Sequence, residues 1–202
     1  SLKGANKGFF LNRLVQAIRI SAPEHGSVAV RRRYGRLVVP LEEGAPPRAL
    51  LLERLTRIPG LRYVLEGIET DDALESILEA VRVQLPTEAA LRFGVRTRRV
   101  DKTYPIRSED LSARVGTFVL ECRPGWKVHQ RQPDLPIRID IVNRRALVTL
   151  RRHEGSGGLP VGVSGRGVLL ISGGIDSPVA ANLMLRRGLR LDLLHFHSAP
   201  FT

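Results

Sequence analysis

The chain has 202 residues, 43% hydrophobic and 26% charged, with 32 Lys and Arg against 20 Asp and Glu and a net charge of +12. That balance fits globular domains with their own cores, excludes a disordered or low-complexity chain, and points to a polyanionic partner, because most of the cations are arginines whose planar fork matches phosphate. No apolar run approaches the length of a membrane span, the start lacks the apolar core of a signal peptide, and the single cysteine, Cys122, rules out an internal disulfide, so a reducing, cytoplasmic setting with no membrane contact is expected.

Asn6 to Ile20 carries Phe9, Phe10, Leu14, Val15 and Ile18 at helical spacing. Val28–Val30 and Leu37–Val39 read as short strands around Arg31-Arg32-Arg33-Tyr34-Gly35-Arg36, a basic hairpin. A second helix runs from Pro46-Pro47 to about Thr56, and Leu61 to Ile68 returns as a strand. Helix, strand, strand, helix, strand is a ferredoxin-like order with its first strand missing. An exposed sheet edge is an aggregation liability, so that strand is expected upstream of Ser1.

Asp71-Asp72 can cap a helix running to about Val83. In 90–98, Leu91, Phe93, Val95 and Thr97 alternate with Arg92, Gly94, Arg96 and Arg98, the pattern of a half-buried strand with arginines on its wet side. A basic loop, Arg99 to Arg107, leads to a helix from Ser108 to about Leu120, and Ile137–Val142 pairs with Arg145–Leu150 across Asn143-Arg144. Residues 92–114 hold seven Lys and Arg against three Asp and Glu, with Tyr104 among them. That density, repeated in the Arg31 hairpin, exceeds what a solvated face needs and predicts nucleic-acid contact, mostly to backbone phosphates because no base-reading code is present. Cys122 reads as a packed thiol.

Gly155 to Gly167 reads as a flexible connector. Val168 to Ile171 is an unbroken apolar run, expected as a strand buried on both faces. Ser172-Gly173-Gly174 breaks it, Asp176 to Arg187 reads as a helix capped by Asp176 or Ser177, and Leu191 to Phe196 is a second strand. Strand, glycine turn, helix N-terminus and parallel strand make an anion site, with amides converging where no Cβ blocks a phosphate. The Gly-Lys pair of the P-loop and the dinucleotide fingerprint are both absent. The Gly173 and Gly174 amides and the Ser172 and Ser177 hydroxyls suit a pyrophosphate, and Asp176, which repels bare phosphate, suits Mg2+. His195 and His197 share a strand face but have no third ligand at metal-site spacing, so they are not read as a metal site.

Ser172-Gly-Gly-Ile-Asp-Ser177 resembles the PP-loop of ATP pyrophosphatases. Ser1-Leu-Lys-Gly-Ala-Asn-Lys7, Phe93 to Pro105, Leu159-Pro-Val-Gly162, Leu170 to Ala180 and His195 to Thr202 together resemble the tRNA 4-thiouridine synthetase family. The resemblance implies α+β followed by α/β: a ferredoxin-like domain over 1–69, a THUMP RNA-binding domain over 70–154, a linker over 155–166, and the first βαβ of a Rossmann-like PP-loop domain over 167–202. It implies a transferase that uses Mg-ATP to adenylate O4 of uridine 8 of tRNA, with persulfide sulfur from a cysteine desulfurase then displacing AMP. Some members also supply sulfur for thiamine biosynthesis, and the family suggests a homodimer. Ser172, Gly173, Gly174, Asp176 and Ser177 are implied for pyrophosphate and metal, with Asp176 and Ser177 as the catalytic pair. The backbone around Leu170, Ile171, His195 and Phe196 is implied to border adenine. The RNA-contact expectation covers Lys3, Lys7, Arg31, Arg32, Arg33, Arg96, Arg98, Arg99, Lys102, Tyr104 and Arg107.

The persulfide-bearing cysteine is expected beyond residue 202, so these residues alone are expected to bind tRNA weakly without turnover. Two other readings stand beside this one: a different PP-loop enzyme with an RNA-binding region, and a non-catalytic RNA-binding module whose Ser-Gly-Gly turn is only a turn.

Overall fold

A computed structural model of the chain describes residues 6–33, 35–88, 90–100 and 103–196. It divides into two compact units, one of residues 1–64 with 153–202 and the other of residues 65–152. The expectations for Lys3, Tyr34, Lys102 and His197 fall outside the described residues.

In the first unit, helix α1 (Lys7–Arg19) and helix α2 (Arg48–Arg57) bury Ile18, Leu51 and Leu55 with Ala22, Val28 and Ile58. The hairpin is tighter than expected, its first strand lying three residues later and its second one residue earlier. Strands β1 (Arg31–Arg33) and β2 (Arg36–Val38) pair antiparallel with Arg33 opposite Arg36, so the arginines are themselves strand residues. Gly35, at φ 68°, supplies the left-handed turn that this tight register requires. Val28 and Val30 instead pack in or against the core ahead of the strand.

Residues 155–162 are not a loose tether. Gly155 and Gly157 donate to the Arg62 and Leu61 carbonyls at 2.9 Å, Gly60 donates to Gly157 at 2.7 Å, and Leu159 and Gly162 donate to Arg186 and Gly188 at 2.8 Å. The glycines serve close backbone approach: Gly158 has φ 73°, and a Cβ there would strike the Arg186 carbonyl. The same unit carries strand β8 (Arg166–Leu170), helix α5 (Asp176–Arg186) and strand β9 (Arg190–Leu194), with β8 and β9 parallel from Arg166 opposite Arg190 to Leu170 opposite Leu194. The parallel βαβ stands as expected, but β8 is not buried on both faces. Val168 is 68% exposed, and Leu170, Val179, Leu183 and Leu193 are exposed too, because two strands and one helix have too little surface to cover both faces.

The second unit holds a five-stranded sheet in the order β3-β7-β6-β4-β5. Its strands are β3 (Tyr63–Asp71), β4 (Arg92–Arg99), β5 (Lys127–Val128), β6 (Leu135–Val142) and β7 (Arg145–Glu154), with helices α3 (Leu74–Arg82) and α4 (Ser108–Cys122) between them. The Leu61–Ile68 strand therefore runs on to Asp71 and forms an edge of this sheet. The β6–β7 turn places Asn143 and Arg144 at φ 49° and 58°, the doubly left-handed hairpin turn that matches strand twist. Alternation in β4 holds: Phe93 and Val95 join Ile137, Ile139, Ile141, Leu111, Val115 and Val119 in the core. About 1.5–3 kcal/mol for each fully buried side chain of this kind makes that layer the main source of the unit's stability. The α3 cap differs from expectation: Ala73 is the N-cap, and the Asp71 carboxylate accepts its N–H at 3.0 Å.

Candidate nucleotide loop and nucleic-acid face

The loop between β8 and α5 is closed by its own hydroxyls. Ser172 donates its N–H to Ser177 Oγ at 3.2 Å, the two hydroxyl oxygens lie 3.1 Å apart, and Gly174 donates to Ser172 Oγ at 3.4 Å. Asp176 is the first helical residue rather than the cap, which is Ile175, and no side chain caps the helix. The first-turn amides of a helix have no intrahelical acceptor, Pro178 contributes none, and the macrodipole is positive at this end.

Gly173 and Gly174 have no need of glycine within the chain. Neither has a positive φ; a Cβ on Gly173 would meet nothing within 4 Å, and one on Gly174 only Ser172 Oγ at 3.5 Å. The missing side chains leave room beside the loop's backbone at the helix N-terminus, the kind of space a phosphate enters.

Leu170 ends β8 and Ile171 lies just past it, while His195 and Phe196 lie just past β9 rather than within it. Ile171 donates to the Leu194 carbonyl at 2.8 Å, and its own carbonyl accepts from His195 Nδ1 at 2.8 Å. These residues therefore lie at the carboxyl ends of two parallel strands, the end at which ligands of α/β sheets sit. The Asp176 carboxylate is exposed. No cluster of three or more His, Cys, Asp or Glu suited to a metal occurs among the described residues. A Mg2+ ion needs no such cage, since it is commonly held by one or two carboxylates, waters and substrate phosphates, and Asp176 fits that role.

The arginines of the second unit sort by face. On the side of β4 away from the helices, Arg92, Arg96 and Arg98 are exposed, and Arg138 of β6 stands directly beside Arg96 in the register. Helices α3 and α4 on the other side carry five carboxylates, Glu75, Glu79, Glu109, Asp110 and Glu121, against Arg82 and Arg114. A polyanion is drawn to the first face and repelled by the second.

Not every predicted contact belongs to that face. Tyr104 is 7% exposed in the core and donates its hydroxyl to the Asp72 carbonyl at 3.0 Å, so its ring cannot stack on a base. Burial also pushes its hydroxyl pKa up. Arg99 donates to Ser108 Oγ and to the Tyr104 and Ile106 carbonyls at 3.0–3.2 Å, which makes it the clamp of the loop entering α4. Arg92 is forked onto Asp134 at 2.8 and 3.0 Å, and that bond holds the Asp134 carboxyl at about 2. Arg98 lies 3.6 Å from the buried Asp140. Arg138 was missed, since only the strand register shows it beside Arg96. In the first unit, Arg31, Arg32 and Arg33 are all exposed; Arg31 pairs with Glu42 at 2.7 Å and Arg32 donates to Asn12 at 2.6 Å. Lys7 is exposed at the start of α1, Arg107 is the N-cap of α4, and Cys122 is half-buried against the core.

Three family models match the chain: the ThiI ferredoxin-like domain over residues 1–64, the THUMP domain over 69–151, and Thiamine biosynthesis protein (ThiI) over 162–202. A probable tRNA sulfurtransferase of Brevibacillus brevis is 41% identical across all of this chain and 51% of its own length. One of Caldanaerobacter subterraneus is 36% identical over all of this chain and 52% of its own. A solved 4-thiouridine synthetase–RNA complex with bound ATP superposes with a TM-score of 0.83 at 30% identity, over all of this chain and 51% of that one. PH1313 of Pyrococcus horikoshii, with a TM-score of 0.82 at 24% identity over 95% of this chain and 65% of its own, shows the fold alone. The chain spans about half the length of the curated relatives it matches. With the ferredoxin-like, THUMP and ThiI matches standing in that order along it, the chain belongs to the tRNA sulfurtransferase, or 4-thiouridine synthetase, family.

Proposed function

We propose that the protein takes part in ATP-dependent thiolation of tRNA. O4 of uridine 8 takes the AMP moiety of ATP with release of pyrophosphate; the terminal sulfur of a cysteine persulfide then attacks C4 and expels AMP, and a second thiol takes the carrier sulfur into a disulfide, leaving 4-thiouridine. The observation that carries this reading is the open space in front of Gly173 and Gly174 at the N-terminus of α5. The amides and hydroxyls of residues 172–177 take the pyrophosphate, which balances the negative charge growing on that leaving group. The Leu170–Ile171 and His195–Phe196 strand ends border the adenine. Asp176 holds Mg2+, which when bound supplies Lewis-acid neutralisation of the phosphate oxygens.

The relatives' names and the RNA- and ATP-bound neighbour support this reading. RNA docks on Arg96, Arg98 and Arg138 with Arg107, and on Lys7 and the Arg31–Arg33 hairpin; Lys3 and Lys102 are retained for their charge alone. We assign the persulfide to a cysteine desulfurase, the assembly to a homodimer and the location to the cytoplasm. No described helix is long and apolar enough to cross a membrane.

The test is a MgATP titration of the protein against its Asp176→Ala and Ser177→Ala variants, with 4-thiouridine formation in tRNA followed in parallel. Binding that weakens in both variants is the expected result. Absence of MgATP affinity in the unmodified protein would leave only an RNA-binding module.

A further inference from the structure

A carboxylate stands in the middle of the second unit's arginine face. Strand alternation in β6 sends Ile137, Ile139 and Ile141 into the core, and Arg138 and Asp140 to the side away from α3 and α4. Register sets Arg98 of β4 directly beside Asp140, as it sets Arg96 beside Arg138, and places Leu147 of β7 on the other flank of Asp140. Asp140 is 4% exposed, the only charged residue buried among the described residues. Arg98 approaches it through Nε, 3.6 Å from Oδ1, which is ion-pair range and longer than a hydrogen bond. The Arg98 side chain nevertheless stays 63% exposed, against 5% for that of Asp140. The pair is lopsided, with the carboxylate sunk in the sheet and the guanidinium at its surface.

Neither stability nor net charge accounts for this carboxylate. Burying one is costly, and even a paired one adds little over an apolar residue of similar size. On a face that draws a polyanion it also works against the attraction. What it supplies is direction. A guanidinium is a rigid fork of donors; held at its Nε edge, it keeps its Nη donors for another acceptor and has less rotamer freedom to lose when that acceptor arrives. Resting on the reading of this face as the tRNA surface, we propose that Asp140 is a positioning residue for RNA: it fixes the Arg98 side chain beside Arg96 and Arg138, so that a backbone phosphate meets a guanidinium already in place. Side-chain ordering of this size predicts that Asp140→Asn weakens tRNA binding about 2- to 10-fold. Charge alone predicts the reverse, because the variant removes a negative charge from the face.

The test is a fluorescence-anisotropy titration of a tRNA transcript with the protein at several salt concentrations, with thermal melts of the same preparations. Asp140→Asn is expected to bind less tightly at about 0.15 M salt, where screening beyond about 8 Å limits the long-range gain. The slope of log K against log salt should not change, because Arg98 keeps its charge. Arg98→Ala should flatten that slope by about 0.7–0.9, and adding Asp140→Asn to it should cost nothing more. Arg98→Lys keeps the charge but offers a single nitrogen to both carboxylate and phosphate. It should lose about the same 2- to 10-fold at an unchanged Tm, and it decides the matter even where Asp140→Asn does not fold. Equal or tighter binding by Asp140→Asn, the same loss when it is added to Arg98→Ala, or lysine serving as well as arginine would overturn the Asp140 assignment and leave the RNA face standing. No salt-dependent tRNA affinity in the unmodified protein would remove the RNA face and the Asp140 assignment with it.

Discussion

Replacing Gly173 or Gly174 by alanine separates a phosphate cradle from a turn more sharply than any other change. A Cβ at Gly173 enters space with no atom within 4 Å, and at Gly174 it meets only Ser172 Oγ, at 3.5 Å. Since neither glycine occupies the left-handed region, alanine should stabilise the fold slightly, by about 0.4–1 kcal/mol through the unfolded chain. The ligand experiences the opposite. A methyl group in front of the amides holds a phosphate oxygen out of reach, and one charge-assisted hydrogen bond is worth about 1.5–3 kcal/mol. That predicts a loss of about 10- to 150-fold in MgATP affinity at an unchanged or raised Tm. Gly158→Ala is the reversed control: with φ 73° and the Arg186 carbonyl in the way, it should lower Tm by the equivalent of at least about 1–2 kcal/mol. Thermal melts and calorimetric titrations of the same preparations read both quantities. Wild-type MgATP affinity in Gly173→Ala and Gly174→Ala would refute the cradle. A large drop in their Tm would show instead that the glycines serve the fold.

Arg96→Ala and Arg138→Ala should each flatten the slope of log K for tRNA against log salt by about 0.7–0.9, while Arg92→Ala, whose fork is held by Asp134, should leave the slope unchanged. Arg99→Ala orphans the Tyr104 and Ile106 carbonyls and should cost about 1–3 kcal/mol in a denaturant melt, again without moving the salt slope. Tyr104→Phe gives up only the bond to Asp72, about 0.5–1.5 kcal/mol, and tRNA affinity should not change; a clear loss of affinity would return the ring to the RNA surface. The pH dependence follows from Asp134, whose folded carboxyl sits at about 2, below the ordinary 3.8. A depressed carboxyl stabilises the fold above its unfolded value and loses that contribution as pH falls from about 4 towards 2. The acid limb of the stability curve in that window should therefore be shallower in Asp134→Asn than in the unmodified protein, and coincident curves would exclude this pair as a source.

What could be read from the chain alone was local. The 3.6 and 2.0 periods placed α1 and β4 to within a residue or two, and the Phe93, Val95 alternation identified the buried side correctly. Ser172 to Ser177 between an apolar strand and a helix marked the loop that the structure places between β8 and α5, because a turn and the helix end beside it are set by neighbouring residues. Errors arose where one segment's role depends on another far along the chain. Arg99 and Tyr104 look like free RNA contacts in a basic run, yet one closes a loop and the other enters the core. Arg138 looks like an isolated cation until pairing sets it beside Arg96. The Gly155–Gly162 stretch resembles a tether, but Gly155 and Gly158 are needed for close contact with the Leu61, Arg62 and Arg186 backbone.

The sequence by itself determined the elements, the hydrophobic layer of the second unit, the loop chemistry and the excess of arginine. Only the tertiary structure decided which arginines share a face and which are already spent on a partner. The reason is physical: helix and strand periods, turns and caps act over a few residues, whereas strand register and side-chain hydrogen bonds join residues tens of positions apart, with no local signal to announce them.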